Sequence, residues 1–147
     1  MKPLKHFEDY MKDRIVKRVN VNKERAKSLV IESERKINSL KEKLKKIGIK
    51  EENANDYVEY CYDIMMHLIR AKLFLEGYTT GGQGAHEAEV SYLRILKFTE
   101  KDVQFANGMR YFRNRILYYG KALDKEYADM VVDFTKTIYP KLRKLVD

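Results

Sequence analysis

One short stretch of the chain concentrates residues suited to holding a phosphate. It begins Phe105-Ala106-Asn107-Gly108-Met109-Arg110-Tyr111-Phe112-Arg113 and continues Asn114-Arg115-Ile116-Leu117-Tyr118-Tyr119-Gly120-Lys121. On a helix, at about 100° per residue, Arg113, Asn114 and Lys121 fall within about 60° of Arg110. Tyr111 and Tyr118 lie beside them. Arginine pairs bidentately with phosphate oxygens. Asparagine both donates and accepts, and tyrosine stacks on bases or donates a hydrogen bond. Phe105, Met109, Phe112, Ile116 and Tyr119 share the opposite side and are expected to face a core. The same polar residue types also make an ordinary solvated helix face, so residue chemistry leaves both readings open.

Other chemistry-bearing residues are scattered. His67 lies at the edge of an apolar stripe, His86 opens a helical segment, and His6 sits in a basic N-terminal stretch. Each reads as a structural or solvated residue. Asp63 and Glu76 are candidate acidic partners for Arg113. No His or Cys pair has ligand spacing, so no metal is expected, and no cofactor is implied. Cys61 falls inside an apolar stripe and reads as a small core residue. Gly81, Gly82 and Gly84 follow Thr79-Thr80, but no Gly-Lys-Ser/Thr ending is present. Residues 78–84 therefore read as a flexible connector between helices.

The elements that position these residues are all helical in pattern. Pro3 and Pro140 are the only prolines. The long proline-free interval suits helices, whose interiors proline disrupts. Segments at about 4–18, 23–47, 54–76, 85–98, 100–119 and 124–146 read as helices, and no stretch reads as a strand. Ala26, Val30, Ile37, Leu40, Leu44 and Ile47 mark the second stripe, with Ser33 in its polar slot. Tyr57, Tyr60, Cys61, Ile64, Leu68, Ala71 and Leu75 mark the third. Ala88, Tyr92, Ile95 and Leu96 mark the fourth. Tyr127, Met130, Val131, Phe134, Ile138, Leu142 and Leu145 mark the last. Asn22 and Thr99 read as N-caps, and Gly48, Gly77 and Gly120 as helix ends. Pro140 is expected to kink the last helix or end a sub-segment. Short connections between long amphipathic helices imply an all-α, up-and-down bundle of five to six helices.

The chain has 147 residues, suited to one domain. Its formal net charge is +8, yet residues 1–50 hold 16 Lys/Arg against 7 Asp/Glu, and residues 51–147 hold 14 against 15. The basic excess is thus confined to the first third, where it forms a solubilising face or an RNA-recruiting one. No apolar stretch is long enough to span a membrane. Met1–His6 lacks the apolar core of a signal peptide, and a single cysteine permits no internal disulfide. A cytoplasmic setting is expected.

Arg113-Asn114-Arg115-Ile116-Leu117, late in a helix of an all-helical chain, resembles the HEPN family. The family hallmark is Arg, usually followed by Asn, then three variable residues and His. The stretch from Tyr62 to Tyr78, ending Glu76-Gly77-Tyr78, is similar to the family's second long helix. His86 sits where many members place a histidine. The resemblance covers residues 23–146, with residues 1–22 a short helix and a break ahead of this core.

The resemblance implies a small helical bundle, often a homodimer, related to metal-independent ribonucleases. Some members are toxins partnered by a minimal nucleotidyltransferase. It places the family arginine on Arg113 and the asparagine on Asn114, and it puts Tyr118 where the family has histidine. An imidazole titrates near pH 6.5 and a phenol near 10, so the two differ sharply as proton carriers. Losing a positioned acid–base group costs about 10²–10⁴ in rate. The expectation is an RNA- or nucleotide-binding protein with a degenerate site. Arg113, Asn114 and Tyr118 would stand at the catalytic positions, and Arg110, Lys121 and Tyr111 would bind RNA. The alternatives are an active endoribonuclease of a toxin–antitoxin pair and a protein-interaction module that partners a nucleotidyltransferase.

Overall fold

The computed structural model describes residues 1–147 as a helical bundle with one small ribbon. In chain order the elements are α1 (Phe7–Lys12), β1 (Val16–Arg18), α2 (Lys23–Lys46) and a 3-10 turn (Glu51–Asn53). Then come α3 (Ala54–Leu75), β2 (Tyr78–Thr80), α4 (Ala85–Ile95), α5 (Glu100–Tyr119) and α6 (Lys125–Leu145). No helix is long and apolar enough to cross a membrane.

The bundle is built around α3. Twelve of its 22 residues are buried, against five of 24 in α2, so α3 is covered on several sides while α2 shows one face to water. α2 and α6 pack along α3, and α4 and α5 complete its surroundings. Leu40, Ile64, Met66, Leu68 and Met109 lie at the centre of this core. Ser33 occupies the polar slot of α2. Its hydroxyl donates to the Ile64 carbonyl at 3.2 Å, which satisfies a fully buried group.

The helix starts follow their caps. Asn22 Oδ1 accepts from the Arg25 amide at 3.0 Å. Thr99 Oγ1 accepts from Asp102 at 3.2 Å, and Asp124 Oδ1 accepts from Tyr127 at 2.8 Å. Pro140 lies within α6, which continues past it to Leu145.

Five expectations are corrected. The first helix spans only Phe7–Lys12, because the chain turns at Arg14 in the left-handed region. The residues after that turn form β1, which pairs antiparallel with β2 in the register Val16 to Thr80 and Arg18 to Tyr78. Residues 78–80 are thus ordered as a strand rather than a loose connector. Finally, α4 ends at Ile95 instead of 98, and Ile95 and Met130 are exposed although each lies on an apolar stripe.

Candidate functional site

The phosphate-binding candidates ride on α5, which runs from its Thr99 cap to Gly120. Gly120 adopts the left-handed conformation that ends helices. The helix is not uniformly covered. Val103, Ala106, Asn107, Met109 and Arg110 are buried, residues 111–116 are half-buried, and Leu117, Tyr118 and Tyr119 are exposed. α5 therefore emerges from the bundle as it proceeds. Phe105 still packs on Phe134 at 4.5 Å and Phe112 on Tyr127 at 5.0 Å. Tyr119 lies past the end of this packing and is 76% exposed, which corrects its expected inward position.

Arg110 is the second correction on this helix. It is 9% exposed and points into protein instead of outward. Its Nε donates to Asn107 Oδ1 at 2.8 Å, and its Nη1 lies 3.5 Å from Glu87 Oε1 on α4. α4 covers this side of α5, so Arg110 is a structural cation. Tyr111 accepts from Arg115 Nη1 at 3.3 Å and meets Phe112 edge-on. Lys121 lies beyond the helix and is exposed. Its carbonyl accepts from the Asn55 amide at 2.9 Å, which pins the link between α5 and α6.

Arg113 and Asn114 lie on the half-buried part of α5. The Arg113 guanidinium carbon stands 5.3 Å from the centre of the Tyr62 ring on α3. Its Nη2 is 3.8 Å from Asp63 Oδ1, and its side chain is 24% exposed. Of the two candidate partners, Asp63 is the one that lies near Arg113. Glu76 instead pairs with Lys72 at 2.8 Å. Tyr118 is 76% exposed and does not meet Arg113 within the chain.

Behind Arg113 is a polar cluster that sequence reasoning did not assemble. Arg70 on α3 grips Glu89 on α4 with two hydrogen bonds, of 2.7 and 3.3 Å. The Glu89 side chain is only 4% exposed. Burial pushes the Tyr62 phenol far above its ordinary value, and the charge of Glu89 adds to the effect. Burial also lowers the pKa of His86, and the charges of Arg70 and Arg113 lower it further against Glu89 and Glu87. A carboxylate inside the buried run Ala88–Leu93 is the one sequence signal that could have flagged this cluster. His67 Nδ1 bonds the Asp63 carbonyl within its own helix. No group of His, Cys, Asp or Glu side chains is arranged to hold a metal.

Arg113, Asp63 and Tyr62 form a half-open patch with a preset guanidinium, and Asn114 follows Arg113 on the same helix. Such a patch can hold an anion. Comparison with models of known families, with curated proteins and with solved structures gives no match.

Proposed function

We propose that the chain is a HEPN-like RNA- or nucleotide-binding protein whose site is degenerate at the position of the family histidine. The observation that carries this reading is the state of Arg113. Tyr62 and Asp63 set its direction, yet its ion pair is loose at 3.8 Å. Arg70, by contrast, is held by Glu89 through two hydrogen bonds. Donors on Arg113 are therefore free for a phosphate, with Asn114 one residue on to orient it. Tyr118 contacts ribose or base from the exposed end of α5. The exposed side chains of Leu117, Tyr118 and Tyr119 suit contact with a second copy of the chain, bringing two such patches together. The basic α2 extends the electrostatic footprint.

The test incubates total RNA in EDTA with wild type, Arg113→Ala and Tyr118→His. Wild type is expected to bind RNA in a salt-sensitive way without cleaving it. Arg113→Ala is expected to weaken binding about tenfold or more, the scale of a lost charge-assisted hydrogen bond. Tyr118→His is expected to gain cleavage. RNA cleavage by wild type, reduced in Tyr118→Phe, would establish the active endoribonuclease in its place. No binding to any RNA or nucleotide at low salt would reject both and leave the role of a nucleotidyltransferase partner.

A further inference from the structure

One sizeable cavity of the molecule has no lining residue on α5. It lies between α2, α3, β2 and the start of α4, with a volume of about 430 Å³. That size falls in the range of small-ligand pockets, about 300–1,000 Å³. Three features define what it could take.

The first is an outer pair of free cations. Arg25, which is exposed on α2, lies with its guanidinium 4.8 Å from the centre of the Phe74 ring. Arg18 on β1 stands outside the lining, 5.0 Å from the centre of Tyr78, whose ring lines the cavity. Neither guanidinium meets a carboxylate or donates a hydrogen bond within the chain. The ring contacts locate the two guanidinium groups while their N–H groups stay unpaired, which suits a phosphate group.

The second feature is an inner polar wall that is neutral in sum. Arg70 and Glu89 stand side by side there as donor and acceptor. His86 joins them from the first turn of α4, whose N-cap Gly84 supplies no side-chain acceptor. A half-buried wall with donors and acceptors but no net charge suits the edge of a neutral heterocycle. The third feature is an apolar lining from Leu29 and Leu73. It suits the face of a flat ring.

We propose that this cavity binds a nucleoside monophosphate group, its phosphate on Arg25, with Arg18 adding positive charge from outside the lining, and its base toward Arg70, Glu89 and His86. The group is either a free mononucleotide or the phosphorylated 5′ end of an RNA. None of these residues is Arg113 or Asn114, so the site stands whether or not α5 binds RNA.

The test uses the full chain and isothermal titration. The probes are AMP, GMP, CMP and UMP, inorganic phosphate, and one RNA hexamer with either a 5′ phosphate or a 5′ hydroxyl. At least one mononucleotide or the phosphorylated hexamer binds. Inorganic phosphate binds at least about tenfold more weakly, because it leaves the inner wall unfilled. The double variant Arg18→Ala/Arg25→Ala, changed only at exposed positions, loses at least about tenfold in affinity while keeping the wild-type circular dichroism. Arg113→Ala binds these probes like wild type. A mononucleotide that binds at least as tightly as the phosphorylated hexamer identifies the free ligand. A phosphorylated hexamer that outbinds every mononucleotide, and its hydroxyl counterpart about tenfold, identifies the chain end. Binding by no probe overturns the proposal. So does binding that the double variant leaves intact. Binding lost in Arg113→Ala alone would likewise sink this site while supporting the one on α5.

Discussion

Arg113 and Tyr62 join α5 to α3 through a cation lying 5.3 Å from a ring centre. The contact has an internal tension. The Tyr62 hydroxyl and the Arg113 Nε are both buried without a hydrogen-bond partner. Burying a polar group unpaired costs about 1–3 kcal/mol. Nevertheless the ring holds the guanidinium in place, which is what an anion site requires.

Tyr62→Phe therefore keeps the ring under Arg113 and removes the unpaired hydroxyl. Stability is expected to stay level or rise by about 1 kcal/mol, read from urea unfolding. RNA binding is expected to be unchanged. A loss above about 1 kcal/mol would show that the phenol does have a partner.

His86 gives the fold a sign-defined response to acid. Burial, together with Arg70 and Arg113, lowers its pKa below the ordinary 6.5, so the folded state favours the neutral ring. The unfolded chain then binds more protons as pH falls through about 6.5. The contribution of His86 is fully present above that pH and is lost as pH drops toward the folded value. Glu87 and Glu89 oppose the shift. His86→Gln is expected to flatten the decline in stability between neutral and mildly acid pH. An unchanged slope would remove His86 as its source.

Gly77 sits where α3 turns into β2, at φ +80°. A Cβ there would stand 2.8 Å from the Val19 carbonyl oxygen, a backbone atom with little room to move. Gly77→Ala is expected to cost about 2 kcal/mol or more, combining left-handed strain with the clash. Gly48 shares the positive φ, at +77°, but has open space around it. Gly48→Ala should cost only the strain, about 1–2 kcal/mol. Equal losses in the two variants would disprove the clash.

Cys61 is fully buried, and burial pushes its thiol up to about 11. It is expected to resist a thiol reagent at pH 8 until the chain opens, so labelling should track unfolding. Because the folded state holds this proton longer, stability should decline as pH rises above about 9, where the unfolded thiol ionises. Fast labelling under native conditions would contradict the packing of α3.

Much of the helical skeleton was legible in the chain. Three-four spacing marked α2, α3, α5 and α6, and Asn22, Thr99 and Gly120 marked ends that the structure keeps. The ribbon was not legible, because three residues are too few to show alternation. Nor was the burial of Arg110. A helical projection gives the direction of a side chain, while what stands in that direction belongs to another helix, here α4 with Glu87. Tyr119 shows the converse, since its direction was inward but the bundle stops before reaching it. The Arg70–Glu89 pair joins two helices and the Arg25 cavity joins three helices and a strand, so beyond the carboxylate of Glu89 no local pattern announces them.

The ribbon between β1 and β2 has a consequence for how the chain is handled. β1 is the sole partner of β2, so its three residues shield a backbone edge that would otherwise be open. A truncation that starts the chain at α2 would leave the Tyr78–Thr80 edge uncapped beside the cavity. Open edges recruit strands from other molecules. A shortened chain would therefore tend to self-associate, and any added copy or inhibitor peptide would have a template waiting.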